Sequence, residues 1–102
     1  MPLLPHPTAG HYETVAASQT AQALGPTGAK GDYIARLVIT VNTAATAAVT
    51  LLDNATSIPI LPNSPGGGIG VYVVDLGMVS VSGAWKVTTG AGSTVVAIGS
   101  FS

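Results

Sequence analysis

The chain has 102 residues, 7% of them charged, and a formal net charge of −1; it is one domain at most. Its three cations, Lys30, Arg36 and Lys86, are scattered, which excludes the Lys/Arg cluster that nucleic-acid binding needs. Apolar residues reach 47% and cysteine is absent, so the composition is neither that of a disordered segment nor that of a disulfide or thiolate-metal scaffold.

Residues 1–18 hold Pro2, Pro5, Pro7 and both histidines, His6 and His11. Three prolines in seven residues deny regular hydrogen bonding and favour an extended path. This segment reads as an extended N-terminal arm, with Leu3, Leu4, His6, Tyr12 and Val15 as the residues that would contact a neighbouring subunit or surface. The opening Met-Pro-Leu-Leu-Pro-His-Pro has no basic start and no continuous apolar core, so it does not read as a signal peptide.

Residues 19–102 read as one β domain. Gln19–Leu24 is a short candidate strand, closed by Gly25-Pro26. Asp32–Val41 alternates Ala35, Leu37, Ile39 and Val41 with Arg36, Val38 and Thr40, a period of two rich in β-branched residues. Ala47–Asp53 follows and ends at the turn-forming Asp53-Asn54. Ser57–Leu61 holds Pro59 and is bounded by Pro62, which places it at a sheet edge. Beyond the Pro65–Gly68 loop come Ile69–Leu76, Met78–Val81, Ala84–Thr89 and Ser93–Phe101, separated by glycines. The alanine-rich stretch Ala44–Ala48 lacks a charged face and does not read as a helix. Seven or eight short strands at this spacing predict an all-β fold, an antiparallel β-sandwich of jelly-roll type. Leu37, Ile39, Val73, Trp85 and Phe101 are its predicted core. Ile69–Leu76, the longest strongly apolar run, is far below the roughly 20 residues that span a bilayer, and no membrane partner is expected.

The chemistry-bearing residues are few. His6 and His11 lie in the arm, with no strand to hold them beside a nucleophile. Asp32, Asp53 and Asp75 each fall at a strand end or turn, where Asp serves as a turn or capping residue rather than half of an acid–base pair. Glu13 alone could join the two histidines, short of the four ligands of a structural zinc site. No enzyme activity, metal or cofactor is expected. The run Gly25-Pro-Thr-Gly-Ala-Lys-Gly31 lacks the spacing and the Ser/Thr of a phosphate loop and reads as a tight bend into the next strand. A chain so poor in charge leaves apolar surface that a free monomer would expose, and near-zero net charge gives little colloidal protection. It is therefore expected to associate with copies of itself or with a larger assembly.

Three stretches, Leu24-Gly-Pro-Thr-Gly-Ala-Lys-Gly-Asp-Tyr-Ile34, Ser82-Gly-Ala-Trp-Lys-Val-Thr-Thr-Gly90 and Val95-Val-Ala-Ile-Gly-Ser-Phe101, resemble a family of small virion structural proteins of tailed bacteriophages and prophages. That family carries an LGxTGAxGDYL opening, an SGAWxVTTGA hairpin and a VxAxGxF ending. The resemblance covers about residues 19–102; it departs in the Pro/Gly-rich loop Ser64–Gly68, and the arm lies outside it. It implies a capsid decoration (cement) protein on the outer surface of the phage head. Such a protein would bind the major capsid protein as a homotrimer and stabilise the shell. The alternative it implies is a fibre or spike head module that binds a host-surface receptor, through loops such as Asn63–Gly68 with Ser82–Ala84. No loop concentrates polar, aromatic or charged groups as a recognition site would, which favours decoration.

Overall fold

A computed structural model of the chain describes residues 11–102. Eight strands run in the order β1 (His11–Val15), β2 (Gln22–Ala23), β3 (Tyr33–Val41), β4 (Val49–Asp53), β5 (Thr56–Leu61), β6 (Gly70–Val79), β7 (Trp85–Thr89) and β8 (Ser93–Ser100), with one 3-10 turn at Ala44–Thr46. They form two four-stranded antiparallel sheets, β1-β8-β3-β6 and β2-β7-β4-β5. The pairs nest: first with last, second with seventh, third with sixth, fourth with fifth. This is a hairpin folded over on itself, the order of a jelly roll. The expected all-β sandwich is the fold.

Alternation puts one face of each sheet into the core. Ile34, Leu37, Ile39, Val41, Val95 and Ala97 from the first sheet meet Val49, Leu51, Trp85 and Val87 from the second, all essentially inaccessible to solvent. These are mostly β-branched or leucine side chains on pleated strands, the arrangement their shape favours. Leu37, Ile39 and Trp85 take the core positions expected of them. Phe101, just past β8, is half-buried against this core.

Four expectations change. The stretch His11–Val15, read as part of an arm over residues 1–18, is a strand that pairs with β8 from His11↔Gly99 to Val15↔Val95. Val15 is buried in the core, so it belongs to the sandwich and not to an exposed arm; Leu3, Leu4 and His6 lie outside the described residues. Val73 is 58% exposed and is not a core residue. The strand expected over Gln19–Leu24 shortens to Gln22–Ala23, although Leu24 itself is fully buried. Finally, Ile69–Leu76 and Met78–Val81 are one strand, not two. Gly77 has φ +61°, and between the pairs Ile34↔Met78 and Arg36↔Asp75 β6 sets two residues, Leu76 and Gly77, against Ala35 alone. A β-bulge with a left-handed glycine carries the strand through a position where the sequence signals a break.

Candidate functional site

Parts of the three stretches that carry the resemblance, Leu24–Asp32, Ala84–Trp85 and the end of β8, meet at one end of the sandwich, whereas Gly90 lies at the other. The Trp85 indole N–H, buried, donates to the Asp32 carbonyl at 2.9 Å, and the Leu24 N–H donates to the Trp85 carbonyl at 2.9 Å. The Asp32 carboxylate accepts from the Ala29 N–H (3.1 Å), the Ser102 N–H (3.0 Å) and the Ser102 hydroxyl (2.8 Å). Gly28 lies so close to Ala84 that a Cβ on it would meet the alanine methyl at 2.4 Å. The glycine-rich bend Gly25–Gly31 therefore wraps the end of the chain and the start of β7. Its glycines serve close approach and positive φ (Gly25 +88°, Gly28 +65°), as the bend reading expects. These residues are architectural.

Each aspartate has a structural task. Asp53, 6% exposed, accepts from the Val81 and Ser82 N–H groups at 3.0 and 3.2 Å and so ties the turn after β6 to the second sheet. Asp75 pairs with Arg36 across β3 and β6 at 3.3 Å, both side chains at least half exposed. A pair so exposed adds little stability. Asp32→Asn keeps the shape but replaces a charged acceptor with a neutral amide. The expected cost is about 1–2 kcal/mol, read as a lower denaturant midpoint with an unchanged m-value. Among the described residues no three His, Cys, Asp or Glu side chains come close enough to hold a metal ion.

The two loops weighed as a recognition surface sit at opposite ends of the β4–β5 hairpin. Asn63 accepts from the Ala48 N–H through Oδ1, beside the Val49↔Leu61 end. Ala84 accepts from the Asn54 N–H, beside the Asp53↔Thr56 end. The fold thus divides them rather than building one surface from both. The tyrosine of β6 holds the first loop down, Tyr72 OH donating to the Gly68 carbonyl at 2.7 Å.

What distinguishes this sandwich is the difference between its two outer faces. On the β2-β7-β4-β5 sheet the outward row contains Ala23, Lys86, Leu52 and Ser57, and the next Thr88, Thr50 and Pro59. That face mixes Thr50, Thr88, Ser57 and Lys86 with Ala23, Pro59 and a half-buried Leu52, and none of its strands carries an exposed large apolar side chain. On the β1-β8-β3-β6 sheet the registers align Val73, Val38, Val96 and Thr14 in one row, and Asp75, Arg36, Ile98 and Tyr12 in the next. Val71 stands beside Thr40, and Val79 beside Tyr33. Exposure peaks along β6 and its flanks: Ile69 71%, Val71 64%, Val73 58%, Val79 56%, Val81 70%. Tyr12, expected at an interface, lies on this same face and is 68% exposed.

Scattered single apolar residues on a surface need no explanation; here two exposed pairs, Val71/Val73 and Val79/Val81, lie along one edge strand and the turn after it, with Asp75 and Gly77 between them. The signal was in the sequence: residues 69–81 are apolar at both parities, which is how strands buried on both faces read. Such a run hides which parity faces the core, and so Val73 reads from sequence as an inward residue although it is exposed. No protein-family model matches the chain, and no curated protein matches its sequence.

Proposed function

We propose that this chain is a structural protein of a tailed-phage virion: a decoration protein that binds the major capsid protein on the outside of the head as a homotrimer and stabilises the shell. The observation that carries this reading is the contrast between one outer face, which leaves Val71, Val73 and Val79 of β6 and Tyr12 of β1 exposed, and the other, whose strands carry no exposed large apolar side chain. A cement protein needs an apolar surface for its neighbours, a polar surface for solvent, and no reaction centre. The structural tasks of Asp32, Asp53 and Asp75 fit that requirement, as does the resemblance of residues 19–102 to phage virion proteins. Stabilisation would follow by linkage: a ligand that binds only the assembled state stabilises it by about 2.7 kcal/mol per site at a free concentration one hundred times Kd.

The test is stoichiometry. In purified particles containing this polypeptide, its copy number is expected to stand in a fixed ratio to the major capsid protein. Particles stripped of it should break at lower temperature and recover when it is added back. A handful of copies per particle, lost together with host adsorption, would overturn this in favour of a fibre module. Removing residues 1–10 leaves β1 whole and tests the rest of the arm: a truncated chain that binds shells at unchanged affinity would show that Leu3, Leu4 and His6 make no capsid contact.

A further inference from the structure

β1 is held to the sandwich by little. It is an edge strand, and among the described strands it pairs with β8 alone. Of Tyr12–Val15 one side chain is buried, Val15, while Tyr12 and Thr14 are exposed. Two side-chain clasps add to the ladder: Glu13 Oε1 accepts from the Gly25 N–H at 3.1 Å, and Gln22 Nε2 donates to the Thr14 carbonyl at 3.1 Å.

The chain after it is anchored to the other sheet. From Gln19 onward it is pinned to β7: the Thr89 N–H donates to the Gln19 carbonyl at 2.8 Å, the Ala21 N–H to Thr88 Oγ1 at 2.8 Å, and the Leu24 N–H to the Trp85 carbonyl. Ala16, Ala17 and Ser18 alone make the crossing between the sheets. Two hydrogen bonds hold this hinge, from Thr89 Oγ1 to the Ala16 carbonyl at 2.6 Å and from the Ser18 N–H to the Gly90 carbonyl at 3.0 Å. Against them stands the backbone of Ser18, at φ +60°, in the left-handed region that a residue with a Cβ enters at a cost. That strain is relieved when Ser18 becomes extended and β1 swings away.

If β1 leaves, the flank of β8 loses a strand and the core loses Val15. A replacement must bring an apolar side chain at the Val15 position, a carboxylate at the Glu13 position for the Gly25 N–H, and a carbonyl at the Thr14 position for Gln22. β1 of a second copy brings all three in the same register. The ladder, the clasps and the Val15 contacts are then remade between copies, so the exchange gives up only the hinge bonds, which the relief at Ser18 offsets. Exchange of an identical element is a low-cost route to association, and a short strained hinge favours it.

We propose that β1 is an exchangeable strand: copies of this chain crowded together swap His11–Val15, each laying it against β8 of a neighbour, with Ala16–Ser18 as the hinge. The exchange closes for a pair or for a larger ring, so it rests neither on three copies nor on the capsid reading.

The experiment uses the whole chain, free of particles, with cysteines at the facing pair Tyr12 and Ile98; the chain has no other cysteine. Light and isotopically heavy copies of the Tyr12→Cys, Ile98→Cys variant are mixed under reducing conditions, concentrated and mildly oxidised. Mass spectrometry of the linked peptides should then find disulfides from position 12 of one chain to position 98 of another, in a share that rises with protein concentration. Ser18→Gly removes the penalty of the left-handed angle and should lower that share roughly fivefold. Ser18→Val, whose branched Cβ deepens the penalty, should raise it; if that variant fails to fold, the drop with Ser18→Gly decides. Disulfides confined to single chains at every concentration overturn the proposal, and so does an interchain share that Ser18→Gly leaves unchanged. Links that join only like positions, 12 to 12 or 98 to 98, mean contact between outer faces and overturn it equally. Exchange in a chain that binds no shell overturns the decoration role alone, and shell binding without exchange overturns the exchange alone, so the two failures are distinct.

Discussion

Trp85→Ala is expected to be the most destabilising single substitution in the sandwich. The indole is 2% exposed and packs in the shared core of both sheets, and large-to-small changes of this kind cost about 3–5 kcal/mol. In a small domain whose whole stability is about 5–15 kcal/mol, that lowers the melting temperature by roughly 12–40 °C, at about 4–8 °C per kcal/mol. Trp85→Phe separates packing from hydrogen bonding. It keeps most of the ring but loses the Nε1 donor, and the Asp32 carbonyl still accepts from the Ser80 N–H at 2.9 Å. Its cost should therefore be nearer 1 kcal/mol for the bond itself. Differential scanning calorimetry measures both changes. In the wild type, indole emission should be blue-shifted and move red in step with the melt. A Trp85→Ala protein that melts within a few degrees of the wild type would mean that the two sheets do not depend on this residue for their packing.

Much of the fold was legible because the sequence alternates cleanly where only one face is buried. Residues 93–100 of β8 and 85–89 of β7 alternate buried and half-buried without interruption, and period two finds them. The pattern failed where the backbone departs from it. In β3, strict alternation counts Ala35 with Leu37, Ile39 and Val41, yet Ile34 is the buried residue and Ala35 is only partly covered. Across from β8, Ala35 is an extra residue between Ile34↔Gly99 and Arg36↔Ile98, so parity changes at that point. Nothing in Tyr-Ile-Ala-Arg-Leu announces a bulge. β1 was hidden for a different reason: beside a proline-rich start, Tyr12–Val15 contribute one deeply buried side chain, Val15, too little for a periodic signal. In β6 the information was present but ambiguous, because both parities are apolar. The inward set, Tyr72, Val74, Leu76 and Met78, serves the core. The outward set includes Val71, Val73 and Val79, all left exposed. What made the core hard to read there is the same property that marks the candidate site.

Gly90→Ala is expected to be strongly destabilising, for a reason that owes nothing to unusual dihedral angles. Gly90 does not have a positive φ. Its environment is what forbids a side chain: a Cβ there would fall 2.0 Å from the Thr46 carbonyl oxygen and 3.0 Å from the Thr46 carbonyl carbon. Both are backbone atoms, which cannot swing aside as the tip of a long side chain would. The same glycine donates its N–H to the Ala48 carbonyl at 2.9 Å and accepts from the Ser18 N–H at 3.0 Å. Moving it away from Thr46 would strain the contacts that join the 3-10 turn and the end of β1 to the β7–β8 connection. Overpacking of a rigid site costs about 1–3 kcal/mol, and the immobility of the opposing backbone puts this case at the upper end, roughly 12–24 °C in melting temperature at about 4–8 °C per kcal/mol. Gly66→Ala supplies the contrast. No atom lies within 4 Å of its added Cβ and its φ is not positive, so restricting the unfolded chain should leave stability unchanged or raise it by up to about 1 kcal/mol. Thermal melts of the two variants side by side separate the explanations. If both shift equally, contact with the Thr46 backbone is not what sets the cost at Gly90. A large loss at Gly90 beside none at Gly66 means that the Thr-Thr-Gly step of the β7 hairpin is fixed by contact between backbones.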